Sequence, residues 1–234
     1  MTSWTPDALT VAIDTASDLA GLALFEGGAM VAESTWRSRQ NQSRELLPTL
    51  EWLLQRAGRQ KTGLGAVAVC VGPGSYAGLR VGLSTAKALA YGFDIPIAGV
   101  PRLAADAYPV ALATAGRVVA VHAAGRAELA FAIYEATEGN LRELTAASLA
   151  PWPDIVARLQ PADAFCAEAG SLSDELVAAL QAKGARLVST APSRVAAVGR
   201  LGLSRLAQGD VDNADTLVPL YLRAPAIGPQ PPRA

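Results

Sequence analysis

A loop rich in glycine and proline joins an apolar run to a helix-forming segment in the first half of the chain. The apolar run ends at Val71, and the helix-forming segment starts near Gly78. Joints of this kind often bind phosphate, because the free amides at the start of a helix attract anions. The loop is therefore the first candidate for phosphate chemistry. We treat it as a structural loop made of Gly72, Pro73, Gly74, Ser75 and Arg80.

Neither common phosphate motif fits this loop. A P-loop needs glycine, four residues and then Gly-Lys-Ser/Thr, whereas five residues separate Gly72 from Gly78, and Arg80 does not take the place of the lysine. In a Gly-x-Gly-x-x-Gly dinucleotide motif, the third glycine position would hold Ala77. Two interpretations stay open. In the first, the amides from Ser75 onward face an anion or the carbonyls of another chain. In the second, the glycines only permit a tight turn and close helix packing.

Groups for other chemistries are scarce. The chain has one histidine, His122, and one imidazole cannot build a histidine-rich metal site. A serine hydrolase would need a Gly-x-Ser-x-Gly elbow, which the sequence lacks. We therefore predict no catalytic residue and no metal site in this chain, and we expect His122 to be structural or exposed.

The composition excludes several classes of protein. Of 234 residues, 51% are hydrophobic, so the chain can build a sizeable core. A formal net charge of −1 gives no field that would attract nucleic acid or an anionic membrane. Cys70 and Cys166 lie in apolar runs and are expected to be buried free thiols. With no leader-like N-terminus and no uninterrupted apolar stretch of membrane-spanning length, we expect a cytoplasmic protein.

Hydrophobic patterns predict alternating strands and helices. The first half reads β-β-β-α-β-α-β, and the second half opens in a similar way, which indicates an α/β fold built from two related halves. The predicted strands are 9–13, 19–25, 30–36, 66–71, 96–100, 117–121, 128–135, 141–146, 165–167 and 186–188. The predicted helices are 43–57, 78–91, 103–113, 154–159, 173–183 and 193–208.

The two helices of the first half carry more apolar and small residues than one face needs. An apolar band of this width indicates a partner, and a row of small residues lets a second helix approach closely. The alternative is that both helices are buried in their own half of the protein. The candidate interface residues are Leu46, Leu47, Leu50, Leu53, Leu54, Gly78, Leu79, Gly82, Leu83, Ala86 and Ala90.

Four blocks of the sequence resemble the TsaB family, the dimerisation subunit of the bacterial tRNA threonylcarbamoyladenosine machinery. They are Ala12 to Thr15, Gly72 to Arg80, Gly82 to Lys87 and Pro219 to Arg223. The resemblance implies a two-lobed actin/sugar-kinase-like (ASKHA) fold, in which each lobe is a mixed sheet with helices. It places 1–102 in the first lobe, joined by 193–208 and the segment up to 223. It places 103–192 in the second lobe and makes 224–234 a flexible tail.

The resemblance also implies a partner and a reaction. TsaB pairs through its first helices with the catalytic paralogue TsaD. With the ATPase TsaE, that complex moves threonylcarbamoyl from an adenylate made by TsaC onto an adenosine beside the tRNA anticodon. This chain would then meet tRNA only indirectly, through the complex. The catalytic paralogue holds a metal through paired histidines, and the matching segment 39–48 contains none.

In the implied fold, the turn after the first strand contacts nucleotide, so Asp14 and Thr15 are the candidate cofactor-binding residues. Ala16 stands where that turn has glycine, and Asp14 has the alternative role of capping local amides. Ala123 stands where the second lobe usually has aspartate. We expect a non-catalytic subunit without its own cofactor. The alternatives are an active ATP-binding kinase or ATPase and a metallopeptidase. ATP or ADP at the partner interface, and a homodimer of the chain alone, stay open.

Overall fold

The computed structural model describes residues 4–39, 41–124, 128–137, 140–168, 171–191 and 193–223. The first half forms five strands and two helices, close to the predicted bounds. The strands are β1 Leu9–Asp14, β2 Leu19–Glu26, β3 Ala29–Arg37, β4 Leu64–Gly72 and β5 Ile97–Pro101. The helices are α1 Gln42–Arg56 and α2 Tyr76–Phe93.

The second half repeats this order after a connecting helix, α3 Arg102–Ala113. Its strands are β6 Arg117–Ala123, β7 Glu128–Thr137, β8 Asn140–Pro151, β9 Ala164–Ala167 and β10 Arg186–Ser189. Its helices are α4 Trp152–Ala157, α5 Asp174–Ala182 and α6 Val195–Ala207.

The two five-stranded sheets have the same topology. The first has the order β3-β2-β1-β4-β5, and the second, read from its third strand, has the order β8-β7-β6-β9-β10. In each sheet the first three strands are antiparallel and the last two are parallel to the first. This shared topology confirms the predicted duplication and the predicted mixed sheets.

Helices α3 and α6 join the two lobes by crossing over. Helix α3 follows the first sheet but packs on the second, whereas α6 follows the second sheet and packs on the first. The two helices also pack on each other. An apolar core made by one face of each sheet together with α3 and α6 therefore lies between the lobes. Separate cores lie under α1 and α2 in the first lobe and under α4 and α5 in the second.

The predicted tail 224–234 lies outside the described residues. Both cysteines, Cys70 and Cys166, are buried and free, as predicted. In the part of the chain that the structure describes, no helix combines the length and the apolar character that crossing a bilayer requires.

Candidate functional site

The loop Gly72 to Ser75 packs against the turn between β1 and β2. The amide of Ser75 donates a hydrogen bond to the carbonyl of Ala16 at 2.8 Å. A Cβ added at Gly74 would lie 2.3 Å from that same carbonyl oxygen, so only glycine allows this approach. The carbonyl that receives the loop amide therefore belongs to this chain. The loop supports the tight-turn interpretation rather than an anion site.

The small-residue row of α2 faces β1 of its own lobe. A Cβ added at Gly78 would lie 2.1 Å from the carbonyl oxygen of Thr15, and one added at Gly82 would lie 2.2 Å from Thr15 Oγ1. The Thr15 hydroxyl donates a hydrogen bond to the carbonyl of Gly78 at 2.7 Å. These glycines bring a helix close to a strand within one lobe, so the prediction that they admit a partner helix is corrected.

The C-terminal segment holds the other side of the loop. The amide of Leu220 donates a hydrogen bond to the carbonyl of Val71 at 2.7 Å. The rings of Tyr221 and Tyr76 lie with their centroids 5.1 Å apart, and the guanidinium of Arg80 lies 4.0 Å above the Tyr76 ring. The loop and the C-terminal block thus form one structural unit.

Most of the predicted interface residues are buried in the first lobe itself. Leu47 is the exception, with 55% of its surface exposed, whereas Leu50, one turn further along α1, is 4% exposed. Periodicity identified the buried face, and the alternative that both helices are buried in their own half of the protein accounts for these residues. The residues buried in this way are Leu46, Leu50, Leu53, Leu54, Gly78, Leu79, Gly82, Leu83, Ala86 and Ala90. Among them, Leu50 and Leu54 also line a groove between α1 and α2.

A groove of about 500 Å³ lies between α1 and α2. Leu47, Leu89 and Phe93 contribute apolar surface to it, and Arg59 and Lys61 lie at its edge. The large exposed side chains Trp52 and Tyr91 lie on the same two helices. The sequence analysis did not select Phe93, Trp52 or Tyr91, because their spacing does not continue the buried leucine stripe.

Asp14 and Thr15 make hydrogen bonds within the chain. Oδ1 of Asp14 accepts the amide of Ala16 at 2.9 Å, and Oδ2 accepts Nε of Arg194 at 3.1 Å. The Thr15 hydroxyl is bonded to Gly78. Both carboxylate oxygens of Asp14 thus have partners within this chain. The hydrogen bond to Ala16 supports the alternative role of Asp14 as a cap of local amides, and nucleotide contact by these two residues stays a prediction.

Arg194 lies at the centre of a buried charged cluster between the lobes. It has only 3% of its surface exposed and immediately precedes α6. Its Nη2 donates to Ser17 Oγ at 2.8 Å, and its Nη1 lies 3.4 Å from Glu168 Oε1 and 3.7 Å from Asp106 Oδ1. Together with Asp14 on β1, these partners let one guanidinium contact residues of both lobes.

Arg102 is the second buried arginine of the cluster. It begins α3, and its Nη2 donates to Glu168 Oε1 at 2.6 Å. Its Nε lies 3.4 Å from Asp106 Oδ2, and its Nη1 lies 3.1 Å from Nε2 of His122. Oε1 of Glu168 thus accepts hydrogen bonds from both guanidinium groups. The interlobe cluster consists of Asp14, Arg102, Asp106, His122, Glu168 and Arg194.

Burial shifts two members of the cluster away from their charged forms. Burial, helped by the neighbouring Arg102, lowers the pKa of His122 to about 4. Burial also raises the pKa of Asp106, although Arg194 and Arg102 act in the opposite direction. Because His122 is neutral near pH 7, the two arginines supply the positive charge of the cluster.

The duplicated topology allows positions in the two sheets to be matched. Ala12 pairs with Ala68 in the first sheet, and Ala120 pairs with Cys166 in the second. All four residues lie in the interlobe core, so they occupy corresponding faces. Two residues further along the strands, the matched pairs are Asp14 with His122 and Cys70 with Glu168.

The two arginines also occupy matched positions, because each stands at the start of a crossing helix. The sequence repeats there as Arg102-Leu-Ala-Ala and Arg194-Val-Ala-Ala. This repeat is the sequence signal that indicates the cluster, although each arginine by itself resembles a solvated side chain. In the first lobe the matched strand supplies Asp14 to its arginine. In the second it supplies His122, and Glu168 provides the carboxylate instead.

The lowered pKa of His122 predicts acid sensitivity. In the unfolded chain this imidazole gains its proton near pH 6.5, but in the folded chain only near pH 4. Its contribution to stability is therefore present above about pH 6.5 and is lost as the pH falls toward 4. Between about pH 7 and 5, the free energy of unfolding of the unaltered chain should therefore fall by about 2 kcal/mol more than that of His122→Gln. Urea unfolding at each pH would measure this difference. Equal pH profiles for both proteins would contradict this assignment.

Several residues face His122 and could add to the same pH profile. They are Arg102, Glu168 and Arg194. Each is present in both proteins, so the difference between the two profiles reports the imidazole together with its coupling to these neighbours.

The contacts of the cluster are mainly ion pairs. Among the described residues, no group of three or more His, Cys, Asp and Glu side chains could hold a metal ion. Asp14 and Glu168 are paired with buried arginines. The site is therefore suited to joining the lobes by charge.

Comparison with known proteins places this architecture in a family. The family model described as "TsaD: tRNA N6-adenosine threonylcarbamoyltransferase" matches residues 36–175, more than half of the chain. The tRNA threonylcarbamoyladenosine biosynthesis protein TsaB of Bacillus subtilis is 28% identical over 228 residues, covering 91% of this chain and 93% of that protein. A tRNA N6-adenosine threonylcarbamoyltransferase of Nitratidesulfovibrio vulgaris is 39% identical over 111 residues, 41% of this chain and 30% of that protein.

Solved structures show the same fold. YeaZ from Pseudomonas aeruginosa matches with a TM-score of 0.79 and 23% identity, covering 92% of this chain and 100% of that one. A ROK family protein from Streptococcus pneumoniae matches with a TM-score of 0.50 and 11% identity, covering 86% and 99%. These likenesses confirm the predicted two-lobed actin/sugar-kinase-like fold. The chain belongs to the TsaD family, and within that family it resembles the TsaB proteins over most of its length.

Proposed function

We propose that this chain is a non-catalytic subunit that pairs with a TsaD-type catalytic paralogue in the formation of threonylcarbamoyladenosine on tRNA. The observation that carries the proposal is the state of the interlobe cleft. Asp14, Asp106 and Glu168 all have buried arginines as neighbours, and one of these arginines bridges the lobes. Carboxylates that an active enzyme of this fold would use are thus engaged by arginines of the same chain, which supports a non-catalytic role.

The groove between α1 and α2 supports the pairing. It presents Leu47, Leu89 and Phe93 beside Arg59 and Lys61, and it lies on the helices through which TsaB proteins are expected to pair. Apolar side chains next to a charged edge are typical of protein interfaces. We propose the TsaD-type paralogue as the occupant of this groove, with TsaE and tRNA reached through that complex.

The active-kinase alternative gains no support from these contacts. It requires Asp14 to hold a metal-bound phosphate, but Arg194 occupies one oxygen of Asp14 and the amide of Ala16 occupies the other. Calorimetry with ATP and magnesium tests this alternative directly, because turnover by the purified chain alone would favour an enzyme.

A reconstituted reaction tests the proposed function. Purified TsaD-type paralogue, TsaE, the threonylcarbamoyl adenylate and tRNA are combined with or without this chain, and modified tRNA is measured. We expect omission to lower the rate by at least about tenfold. Leu47→Glu should cause a similar loss and abolish co-purification with the paralogue, because it places a charge on an exposed apolar contact.

A matched control separates docking from folding. Leu144 on β8 is 41% exposed, so Leu144→Glu changes charge to the same degree on the other lobe and should leave both readouts unchanged. Buried positions such as Leu50 and Ala86 are unsuitable for this test, because glutamate there would unfold the first lobe. Full activity without the chain, or an intact complex with Leu47→Glu, would show that the proposed role or surface is wrong.

A further inference from the structure

We propose that Arg194 and Glu168 form a latch that holds the two lobes closed across the cleft. Arg194 is anchored in the first lobe by Asp14 and Ser17. Glu168 is anchored in the second lobe by Arg102, at 2.6 Å. The 3.4 Å contact between Arg194 Nη1 and Glu168 Oε1 therefore joins two parts that are each held separately.

The charges explain why Glu168 controls the latch. Two buried guanidinium groups converge on its Oε1, and without that oxygen they face each other as like charges in a poorly solvated space. Asp14 and Asp106 neutralise part of this charge, and His122 adds none because burial keeps it neutral. Loss of the Glu168 carboxylate should therefore separate the arginines.

The charged contact lies at one end of the two crossing helices, beside the apolar core that joins the lobes. Helices α3 and α6 pack on each other, and Arg102 and Arg194 stand at the N-terminal ends of these helices. When the contact between Arg194 and Glu168 breaks, the lobes would separate near the N-terminal ends of α3 and α6, and the packed helices would act as the hinge. Basic residues at helix N-termini oppose the helix dipole, so carboxylate partners are needed to keep them there.

Glu168 differs from the other carboxylates of the cluster in its exposure. Its side chain is 43% exposed, whereas Asp14 and Asp106 are almost fully buried. Solvent can therefore reach the latch at Glu168 alone among these three. This makes Glu168 the member that can be altered while the fold is kept.

Distance measurements between the lobes test the latch in the chain alone, without any partner. Spin labels are placed through Arg56→Cys at the exposed end of α1 and Lys183→Cys at the exposed end of α5. The native cysteines, Cys70 and Cys166, are buried and should not be labelled. We expect Glu168→Ala to lengthen the mean distance by at least about 3 Å or to broaden the distribution markedly.

Chemical rescue provides the second readout. Sodium acetate should restore the shorter distance in Glu168→Ala, because a free carboxylate can enter between the two arginines, whereas sodium chloride at equal ionic strength should not. The control is Glu135→Ala, which removes an exposed carboxylate paired with Arg142 within one hairpin and should not change the distance. If Glu168 had only a structural role, its loss would lower stability, but acetate would not restore the shorter distance between the labels.

The outcomes are decisive in either direction. A distribution in folded Glu168→Ala that matches the unaltered chain, or a shift that acetate does not reverse, would overturn the latch. If the alanine variant does not fold, Glu168→Gln keeps the side-chain shape without the charge and is expected to show the same opening. The result is independent of the proposed function, because pairing with the paralogue is never measured.

Discussion

Arg194→Met is expected to lower the free energy of unfolding by about 3–5 kcal/mol, the usual effect of removing one partner of a buried ion pair. The substitution leaves Asp14 without its only cationic contact among the described residues, and Asp14 is 2% exposed. It also removes the hydrogen bond to Ser17 and the contact to Glu168. Urea unfolding followed by circular dichroism would measure the loss.

An exposed arginine provides the control for this prediction. Arg142 pairs with Glu135 on the surface of the hairpin formed by β7 and β8, with 64% of its side chain exposed. Arg142→Met should change stability by no more than about 1 kcal/mol, because surface ion pairs contribute little. If both variants lose equally small amounts, the interlobe cluster does not hold the fold in the way we describe.

Gly78→Ala is expected to lower stability by about 3 kcal/mol or more, although the new side chain is one methyl group. Its Cβ would lie 2.1 Å from the carbonyl oxygen of Thr15, a backbone atom that cannot move alone. The helix would have to shift away from β1, which disturbs the hydrogen bond from Thr15 to Gly78. Overpacking of this kind is destabilising because the interior has no spare volume. Thermal and urea unfolding would measure the loss.

Gly92 in the same helix is a matched control. A Cβ added there meets nothing within 4 Å. Gly92→Ala should therefore raise stability by about 0.5–1 kcal/mol, because alanine is a better helix former than glycine. A Gly78→Ala variant as stable as the unaltered chain would show that α2 and Thr15 are not in the close contact we describe.

Local pattern was sufficient to predict the elements of the fold. Alternation between apolar and polar residues located the edge strand Ala29–Arg37, and the spacing of Leu46, Leu50 and Leu53 located α1 with a difference of one residue at each end. These signals are local, since a strand or a helix repeats its own period along the chain. The duplication was also visible, because each half opens with the same succession of elements.

The same pattern was insufficient to assign the buried face of α1 and α2. A leucine stripe reports that one side of a helix avoids water, but it does not report whether the helix packs on its own sheet or on another protein. Gly78 and Gly82 posed the same ambiguity. In the structure they admit β1, which is more than sixty residues earlier in the chain.

The interlobe cluster was the largest omission. Arg102 and Arg194 are single charged residues at the starts of alanine-rich helices, and each alone reads as a solvated side chain. Their importance depends on Glu168 and Asp106, which the crossing of α3 and α6 brings into contact with them.

The sequence alone determined the order of strands and helices, the duplicated halves and the family, because these follow from short-range periodicity and from blocks such as Gly72 to Arg80. Tertiary structure decided which neighbours those elements have. It turned the glycine row toward β1 and left Leu47 exposed, and it joined two distant arginines on one carboxylate. Contacts between remote residues depend on how whole elements pack, and no local pattern records that packing.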